Sequence, residues 1–449
     1  MLSREDNETL TRTGPGTRMG DYLRRFWQPV LLSRELPMAD GAQKRIEVLG
    51  EKLLAFRDSD GRVGVVEPRC PHRGADLYLA RNGECGLRCV YHGWKFDVDG
   101  KCMEIPTLPP DSDFRHKVSI KAYPTREWGD MIWAWMGPAE RMPELPALEL
   151  ALLPGSHRYV SKKLQQCNWA QAVEGAIDTA HFSFAHMAIP QAAAYADVLA
   201  KGAAIGDQVV KNDRVRWVRE DTMPKFEVIA HASGFVVGGA RKADDEDLYW
   251  RITQFMQPNH SYTPAAFPGE GNHGQTWVPI DDESCWIFTY SWHPDRPLEE
   301  RERAQYAAGH NVHAAIDENF VPIRNRGNDY LIDREEQRTR TYMGISGVSE
   351  QDAAIQDSQG FVHDRTRETL GPTDLAIMRF RRMMLEGVRS LADGVEPGLP
   401  FDPRAYLVRS GGWVAHRSKN LAAVMVERFG SETGDVRDLY FGAARQVAE

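Results

Sequence analysis

The sequence has 449 residues, more than one hydrophobic core usually holds, so at least two domains are expected. Apolar residues make up 42% and charged residues 27%, and a net charge of −9 leaves no basic excess for binding nucleic acid. No apolar run is long enough for a transmembrane helix, and the N-terminal MLSREDNETLTR lacks the apolar core of a secretory signal. A cytoplasmic protein without a membrane partner is predicted.

Residues 1–40 are predicted to form an N-terminal helical segment, with one short helix in DYLRRFWQPVLL that ends at Pro29. Residues 41–140 contain short alternating stretches separated by turn signals such as Asp99-Gly100, which predicts a small all-β domain. A proline-rich stretch from 137 to 155 marks the boundary to the next domain.

Residues 141–449 mix strands and helices. Four stretches are typical of antiparallel strands: FEVIAHASGFVVGGA, LYWRITQFMQPN, GQTWVPIDD and ESCWIFTYSWHP. Three others are predicted helices: CNWAQAVEGAIDTAHFSFAHM, PLEERERAQYAAGHNVHAAID and TDLAIMRFRRMMLEGVRSLADG. The predicted fold class is therefore α+β, with an N-terminal all-β domain followed by a domain whose central antiparallel sheet is surrounded by helices.

Two short, glycine-rich loops of the β domain each contain a cysteine and a histidine. Cys70 and His72 stand two positions apart, and Cys89 and His92 stand three apart. Four of the six cysteines fall between residues 70 and 102. In a chain without a secretory signal, such crowding favours a metal site over disulfide bonds.

Zinc is one candidate for this site, but zinc sites usually pair Cys with Cys and His with His along the chain. One Cys and one His from each loop suit a two-iron cluster, in which one iron takes both thiolates and the other both imidazoles. Gly74, Gly86 and Gly93 would let the backbone approach bridging sulfides. Cys85 and Cys102 are predicted to be ordinary buried thiols.

The pattern CxH…CxxH, formed by Cys70, His72, Cys89 and His92, resembles that of the Rieske [2Fe–2S] proteins. The resemblance implies that these four residues bind the cluster. Two neutral imidazoles in place of thiolates raise the reduction potential to roughly −150 to +300 mV, against about −400 mV for an all-Cys cluster.

A second candidate metal site lies in the stretch NWAQAVEGAIDTAHFSFAHM. Asp178 and His181 are three positions apart and would share a face of a regular helix. His181 and His186 are five apart, so both reach one metal only if the helix loosens there. Two histidines and a carboxylate with open positions are the arrangement of non-haem Fe(II) sites that activate O2. Alternatively, these histidines only pack or cap.

The spacing D-x-x-H-x4-H resembles the mononuclear iron motif of the Rieske oxygenases, which implies His181 and His186 as Fe(II) ligands. The resemblance places the carboxylate ligand far downstream. Asp357, in SEQDAAIQDSQGFVHDRTRETLG, is the predicted ligand, with Asp352 as the first alternative and Asp364 as the second.

The similarity to oxygenase components of the phthalate 4,5-dioxygenase type extends over nearly the whole chain, including TGPGTRMGDYLRRFWQPVLLS and RNRGNDYLIDREEQRT. It implies a homotrimer or a stacked hexamer. In it, Asp178 would link a Rieske histidine of one subunit to an iron histidine of the next. The glycines between Gly14 and Gly20 have the wrong spacing for a dinucleotide loop. Electrons are therefore expected from a separate NADH-dependent flavin and iron–sulfur reductase.

The resemblance further implies O2-dependent dihydroxylation of an aromatic carboxylate of the phthalate or benzoate type. O-demethylation of a methoxylated, lignin-derived acid is one alternative, and a Rieske electron-transfer protein without oxygenase activity is another. A carboxylate substrate requires cationic donors, and Arg serves best because it offers two parallel hydrogen bonds. Arg251 is the predicted donor, with Arg241 and Arg214 as alternatives.

Overall fold

A computed structural model of the protein describes residues 1–109, 112–189, 203–205, 208–210, 213–265 and 269–442. The chain forms two compact units. The first comprises Arg12–Leu145 and Val278–Asp281, and the second comprises Met1–Thr11, Pro146–Trp277 and Asp282–Glu449. None of the helices in the described ranges is long and apolar enough to cross a membrane.

The N-terminal segment differs from the prediction for residues 1–40. Helix Arg4–Thr11 belongs to the second unit and packs on helix Leu375–Ala392, whereas helix Arg18–Leu23 belongs to the first unit. Pro29 lies inside strand Gln28–Leu32 rather than at a helix end. This strand is at the edge of its sheet, where a residue without an N–H is tolerated.

The first unit contains three small antiparallel sheets, as the all-β prediction expects. In spatial order their strands are Gln28–Leu32, Met131–Ala134 and Thr125–Trp128; Lys44–Val48, Glu51–Arg57, Val63–Val66 and Ala122–Tyr123; and Arg81–Gly83, Gly86–Arg88, Lys95–Phe96 and Cys102–Glu104. The last sheet positions one of the two Cys/His loops, because residues 89–94 connect two of its neighbouring strands.

The second unit is built on one eight-stranded antiparallel sheet. Its spatial order is Arg158–Gln165, Cys285–Trp292, Asn272–Pro279, His260–Thr263, Asp247–Met256, Gly234–Lys242 and Lys225–His231, with Gly411–His416 also paired to Asp247–Met256. A separate hairpin joins Ala203–Ile205 to Gln208–Val210. The sequence patterns missed three strands of this sheet, among them Arg158–Gln165. The sequence of that strand, RYVSKKLQ, is polar, although its lysines are buried.

The helices of the second unit surround this sheet, which confirms the predicted fold class. They are Arg4–Thr11, Glu149–Leu152, Trp169–Ile177, Asp213–Glu220, Glu300–Ala307, Arg334–Thr339, Val348–Ser358, Leu375–Ala392, Leu421–Phe429 and Arg437–Phe441. Trp169–Ile177 and Val348–Ser358 pack on each other. These two helices lead directly to the candidate site.

Asn168 fixes the start of helix Trp169–Ile177. Its side-chain oxygen accepts a hydrogen bond from the Ala170 N–H, and its amide donates to the backbone oxygens of Thr11 and Asp282. The helix ends at Ile177 because Asp178 adopts extended φ and ψ of −79° and 112°. The histidines that follow are therefore not part of this helix.

Candidate functional site

The two Cys/His loops of the first unit have the same backbone design. The Gly74 N–H donates to the Cys70 carbonyl over 2.8 Å, and the Gly93 N–H donates to the Cys89 carbonyl over 2.9 Å. Both glycines have positive φ, 74° and 78°, which a residue with a side chain rarely adopts. Each loop is thus a tight turn with its cysteine at the start.

Among the four predicted cluster ligands, the two cysteines and the two histidines lie in different places. The thiols of Cys70 and Cys89 are buried beside each other, and burial together with this neighbour raises the pKa of Cys70 to about 11. The imidazole of His72 lies towards the surface, 4.5 Å from the ring of His92 and stacked at 4.5 Å on Trp94. The two sulfur atoms are thus neighbours, and so are the two imidazole rings.

The spacing of these four donors does not suit a single zinc ion. Ligands about 2.0–2.3 Å from one tetrahedral ion lie less than about 4 Å from each other. Within the described part of the chain, no three ligand atoms of Cys70, His72, Cys89 and His92 lie within 4.8 Å of one another. A larger, two-metal group with thiolates on one metal and imidazoles on the other fits this spread.

The remaining residues singled out near this site have structural surroundings. Cys102 is a buried thiol, as predicted, whereas Cys85 is only half-buried, with a φ of 61°. Gly86 lies in a strand, where a Cβ would approach the Phe96 carbonyl to 2.6 Å. Its role is therefore close strand packing.

In the second unit, three ligand atoms converge just beyond the end of helix Trp169–Ile177. His181 begins a 3-10 turn, and its Nε2 lies 3.0 Å from the Nε2 of His186. Oδ1 of Asp352 lies 3.4 Å from the first of these nitrogens and 3.2 Å from the second. Cis ligands about 2.1 Å from one ion are about 3 Å apart, so this triad has the spacing that a bound metal requires.

The carboxylate of the triad belongs to Asp352, and the structure contradicts Asp357 as the third ligand. Asp357 Oδ1 accepts a hydrogen bond from Gln165 over 3.0 Å and Oδ2 accepts one from Tyr330 over 2.5 Å. Both aspartates lie on helix Val348–Ser358, and five residues turn their side chains about 140° apart. Only Asp352 faces the histidines; the third candidate, Asp364, is exposed and caps the turn at Thr366.

The far side of each imidazole also has a partner. Nδ1 of His181 lies 3.4 Å from Oδ2 of Asp178, and Nδ1 of His186 is hydrogen-bonded to Oε1 of Gln351 over 2.7 Å. An acceptor at Nδ1 holds the ring proton there and leaves Nε2 free to bind a metal. Sequence patterns missed Gln351, for which the only available signal is its position beside Asp352.

Electrostatics of the triad reflect its burial. Burial lowers the pKa of His181, but the carboxylates of Asp178 and Asp352 raise it to a net value of about 9. Burial opposes ionisation of Asp352, yet the two imidazoles hold its pKa well below the usual range. The carboxylates of Asp178 and Asp352 therefore favour a positive charge at this point.

A partly open cavity lies beside the triad. Its lining includes His181, Phe182, Asp352 and Arg251, whose side chain is 6% exposed. The guanidinium stacks 3.6 Å over the ring of Phe182, and its Nε has no hydrogen-bond partner within the described ranges. Burial lowers the pKa of Arg251 to about 10, and the largest effect that opposes burial comes from Tyr249 rather than from a carboxylate.

The two alternative arginines do not line this cavity. Arg241 is fully buried and donates to the carbonyl of Thr179 over 2.7 Å, so it supports the turn that precedes His181. Arg214 donates to the carbonyl of Ala265 over 3.3 Å. Of the three arginines considered from the sequence, only Arg251 faces the space beside the triad.

Comparison with known proteins agrees with this two-site arrangement. Residues 26–124 match the Rieske [2Fe–2S] domain, and residues 134–402 match the model described as LigXa C-terminal domain like. The 3-chlorobenzoate-3,4-dioxygenase oxygenase subunit of Comamonas testosteroni is 35% identical over 93% of this chain and 96% of its own. The phthalate 4,5-dioxygenase oxygenase subunit of Pseudomonas putida is 37% identical over 88% of each chain.

A third relative differs in its reaction. The 5,5'-dehydrodivanillate O-demethylase oxygenase subunit of a Sphingobium species is 32% identical over 88% of this chain and 83% of its own. The chain belongs to the Rieske non-haem iron oxygenases, as an oxygenase component. An oxygenase of this family uses a Rieske [2Fe–2S] cluster and a mononuclear iron, and the donor spacings described above fit both groups. A Rieske electron-transfer protein without oxygenase activity is thereby set aside.

The geometry of the triad predicts opposite outcomes for two aspartates of one helix. Asp352→Ala should lose the mononuclear iron and turnover while keeping the Rieske absorbance, because it removes one of three converging donors. Asp357→Ala should keep the iron but lose about 1–3 kcal/mol of stability, since Gln165 and Tyr330 lose their acceptor. Iron analysis, visible spectra and thermal unfolding of the two variants test this, and the reverse pattern would restore Asp357 as the ligand.

Iron binding should depend on pH through His181. Its pKa of about 9 in the metal-free protein means that the metal displaces a proton at lower pH. The apparent affinity for Fe(II) should therefore rise, by about tenfold per pH unit at most, and level off above the pKa. Anaerobic Fe(II) titrations of metal-depleted protein measure it. In Asp178→Asn, the Fe(II) affinity should reach its plateau at a lower pH. An affinity that does not depend on pH in either wild type or this variant would contradict His181 as a ligand.

Proposed function

We propose that this oxygenase component uses O2 and electrons from a separate reductase to dihydroxylate an aromatic carboxylate of the phthalate or benzoate type. The observation that supports this substrate class is Arg251. A buried guanidinium without a described carboxylate partner lies in the cavity that His181 and Asp352 also line. A substrate carboxylate would supply the missing counter-charge through charge-assisted hydrogen bonds.

Cys70, His72, Cys89 and His92 are proposed to hold the Rieske cluster, and His181, His186 and Asp352 to hold the mononuclear Fe(II). When bound, the cluster supplies single electrons and the iron activates O2 beside the substrate. The residues of the chain then have separate tasks. Asp178 and Gln351 orient the two imidazoles, Arg251 orients the acid, and Phe182 packs under its guanidinium.

Asp178 is also proposed to link two subunits of a homotrimer or stacked hexamer. Its side chain is 23% exposed and lines a second, open cavity. On the first unit, His72 is exposed, and so are Val90 and Tyr91, which precede His92 in the chain and are 55% and 53% exposed. A histidine of one copy placed against Asp178 of another would give electrons a short path to His181.

The electron donor is proposed to be an NADH-dependent reductase with flavin and iron–sulfur groups, because the sequence contains no nucleotide-binding motif of its own. A cytoplasmic location is proposed as well. None of the six cysteines is joined in a disulfide bond, which suits a reducing compartment.

O-demethylation is the second candidate reaction. The relative that bears this activity in its name aligns over 88% of the chain, and the same triad and cavity serve either reaction. The choice depends on which atom of the substrate faces Asp352 and the histidines.

Oxygen uptake with a cognate reductase tests the proposal across phthalates, benzoates and methoxybenzoates. We expect uptake with at least one acid, together with a dihydrodiol; formaldehyde from a methoxybenzoate would favour O-demethylation instead. The matched control is His181→Ala, which should retain the Rieske spectrum and abolish turnover. Absence of substrate-dependent uptake with every acid would refute the aromatic-carboxylate assignment.

Arg251 should determine affinity for the acid. Arg251→Leu is expected to raise KM roughly 10- to 100-fold, because it removes charge-assisted hydrogen bonds to the carboxylate. Arg251→Lys should give a smaller increase, since it keeps the charge but not the planar fork. Arg214→Leu, outside the cavity, should stay within about twofold of wild type. Equal effects on an acid and on its uncharged amide would show that Arg251 only supports the fold.

A further inference from the structure

A chain of hydrogen bonds between buried side chains leads to the same cavity. Ser161 Oγ is bonded to Nδ1 of His313 over 2.7 Å, and Nε2 of His313 is bonded to Oγ of Ser291 over 2.8 Å. The same Ser291 oxygen is 2.7 Å from Nδ1 of His273. All four residues are at most 7% exposed. The chain ends at His273 Nε2, which lacks a hydrogen-bond partner among the described residues.

His273 faces the cavity together with Arg251. Thr263 of strand His260–Thr263 pairs with His273 of the next strand. One position before Thr263, Tyr262 pairs with Gln254 of strand Asp247–Met256, which also contains Arg251. Residues paired across strands share a face of the sheet, and so do residues two apart on one strand. These pairings therefore place Thr263, His273 and Arg251, which all line the cavity, on one face. Because the two strands are two spacings of about 4.8 Å apart and the residues are offset by two positions of about 3.4 Å, the backbones at Arg251 and His273 are on the order of 12 Å apart. Both side chains therefore reach one cavity from the same face of the sheet.

The surroundings of His273 determine which nitrogen bears the proton. Oε1 of Glu270 lies 3.6 Å from Nε2, which favours a hydrogen on that nitrogen. Nδ1 then accepts from the Ser291 hydroxyl, whose oxygen accepts from His313 Nε2–H, and His313 Nδ1 accepts from the Ser161 hydroxyl. Every hydroxyl in the chain then donates once, and His273, which lines the cavity, bears a hydrogen on Nε2.

We propose that His273 Nε2–H donates a hydrogen bond to an oxygen substituent on the ring of the substrate. This rests on the proposed function, in which Arg251 holds the carboxylate. The substrate class is thereby narrowed to aromatic acids that bear a ring hydroxyl or alkoxy group. Oε1 of Glu270, at 3.6 Å, is too far from Nε2 for a hydrogen bond. Without a substrate oxygen the buried N–H therefore makes no hydrogen bond, which costs free energy, so the site discriminates against an acid that lacks this oxygen.

The test compares benzoate with its 3- and 4-hydroxy and methoxy derivatives on the holoenzyme with reductase. Wild type should prefer at least one oxygenated acid over benzoate by roughly three- to tenfold in KM. His273→Leu should abolish this preference by weakening only the oxygenated acid. His273→Gln, whose amide N–H can take the place of Nε2–H, should retain it.

Two further variants keep the test decisive if His273→Leu does not fold. Ser291→Ala removes the donor to Nδ1 and should reduce the preference without affecting benzoate. His260→Gln changes a buried histidine of the adjacent strand that is bonded to Thr276 and does not line the cavity, and it should leave the preference unchanged. The visible spectrum and iron content of each variant confirm that both metal sites are intact.

The outcomes separate the two proposals. If wild type consumes O2 neither with these acids nor with the phthalates, the proposed function fails. If it consumes O2 with a phthalate but with none of the hydroxy- or methoxybenzoates, only the inference about His273 is overturned. If it consumes O2 with benzoate and its derivatives without preference, or if His273→Leu raises KM equally for all of them, only the inference about His273 is overturned. A fall in kcat alone with unchanged KM ratios would assign His273 to proton transfer and would also overturn substrate recognition.

Discussion

The candidate site depends on one constraint, the end of helix Trp169–Ile177. On a continuous helix, five residues would turn His181 and His186 about 140° apart, and their nitrogens could not meet. The extended backbone at Asp178 and the 3-10 turn beginning at His181 instead bring the two Nε2 atoms to 3.0 Å. The same ending leaves Asp178 beside His181, where it faces the ring nitrogen that a metal does not need.

The surrounding protein holds this unusual ending in place. Glu174, one turn before the helix ends, accepts hydrogen bonds from the buried guanidinium groups of Arg365 and Arg381, whose positive charges keep its pKa low despite burial. Near the other helix of the site, Lys163 donates to the hydroxyl of Ser349 over 2.7 Å. Both helices are thus anchored by buried polar contacts, which hold the segments that carry the three donors.

The sequence predicts those features of this site that are local in the chain. The motif around Cys70 and the pair His181 and His186 could be identified because each lies within a few residues, and strand alternation indicated the two kinds of domain. The choice between Asp352 and Asp357 could not be made, since it depends on which face of a helix meets a loop more than 150 residues earlier. Strand Arg158–Gln165 could not be predicted, because a polar sequence does not show that its lysines are buried against hydrogen-bond partners.

Reactivity and selectivity are thereby assigned to different parts of the second unit. The metal-binding donors come from a turn and a helix, whereas Arg251 and His273 come from one face of the sheet. Because strand side chains alternate, a substitution on that face alters the cavity without turning the residues that pack the opposite face. Under the proposed function, the polar groups spaced along these strands then decide which atom of a bound acid faces the triad.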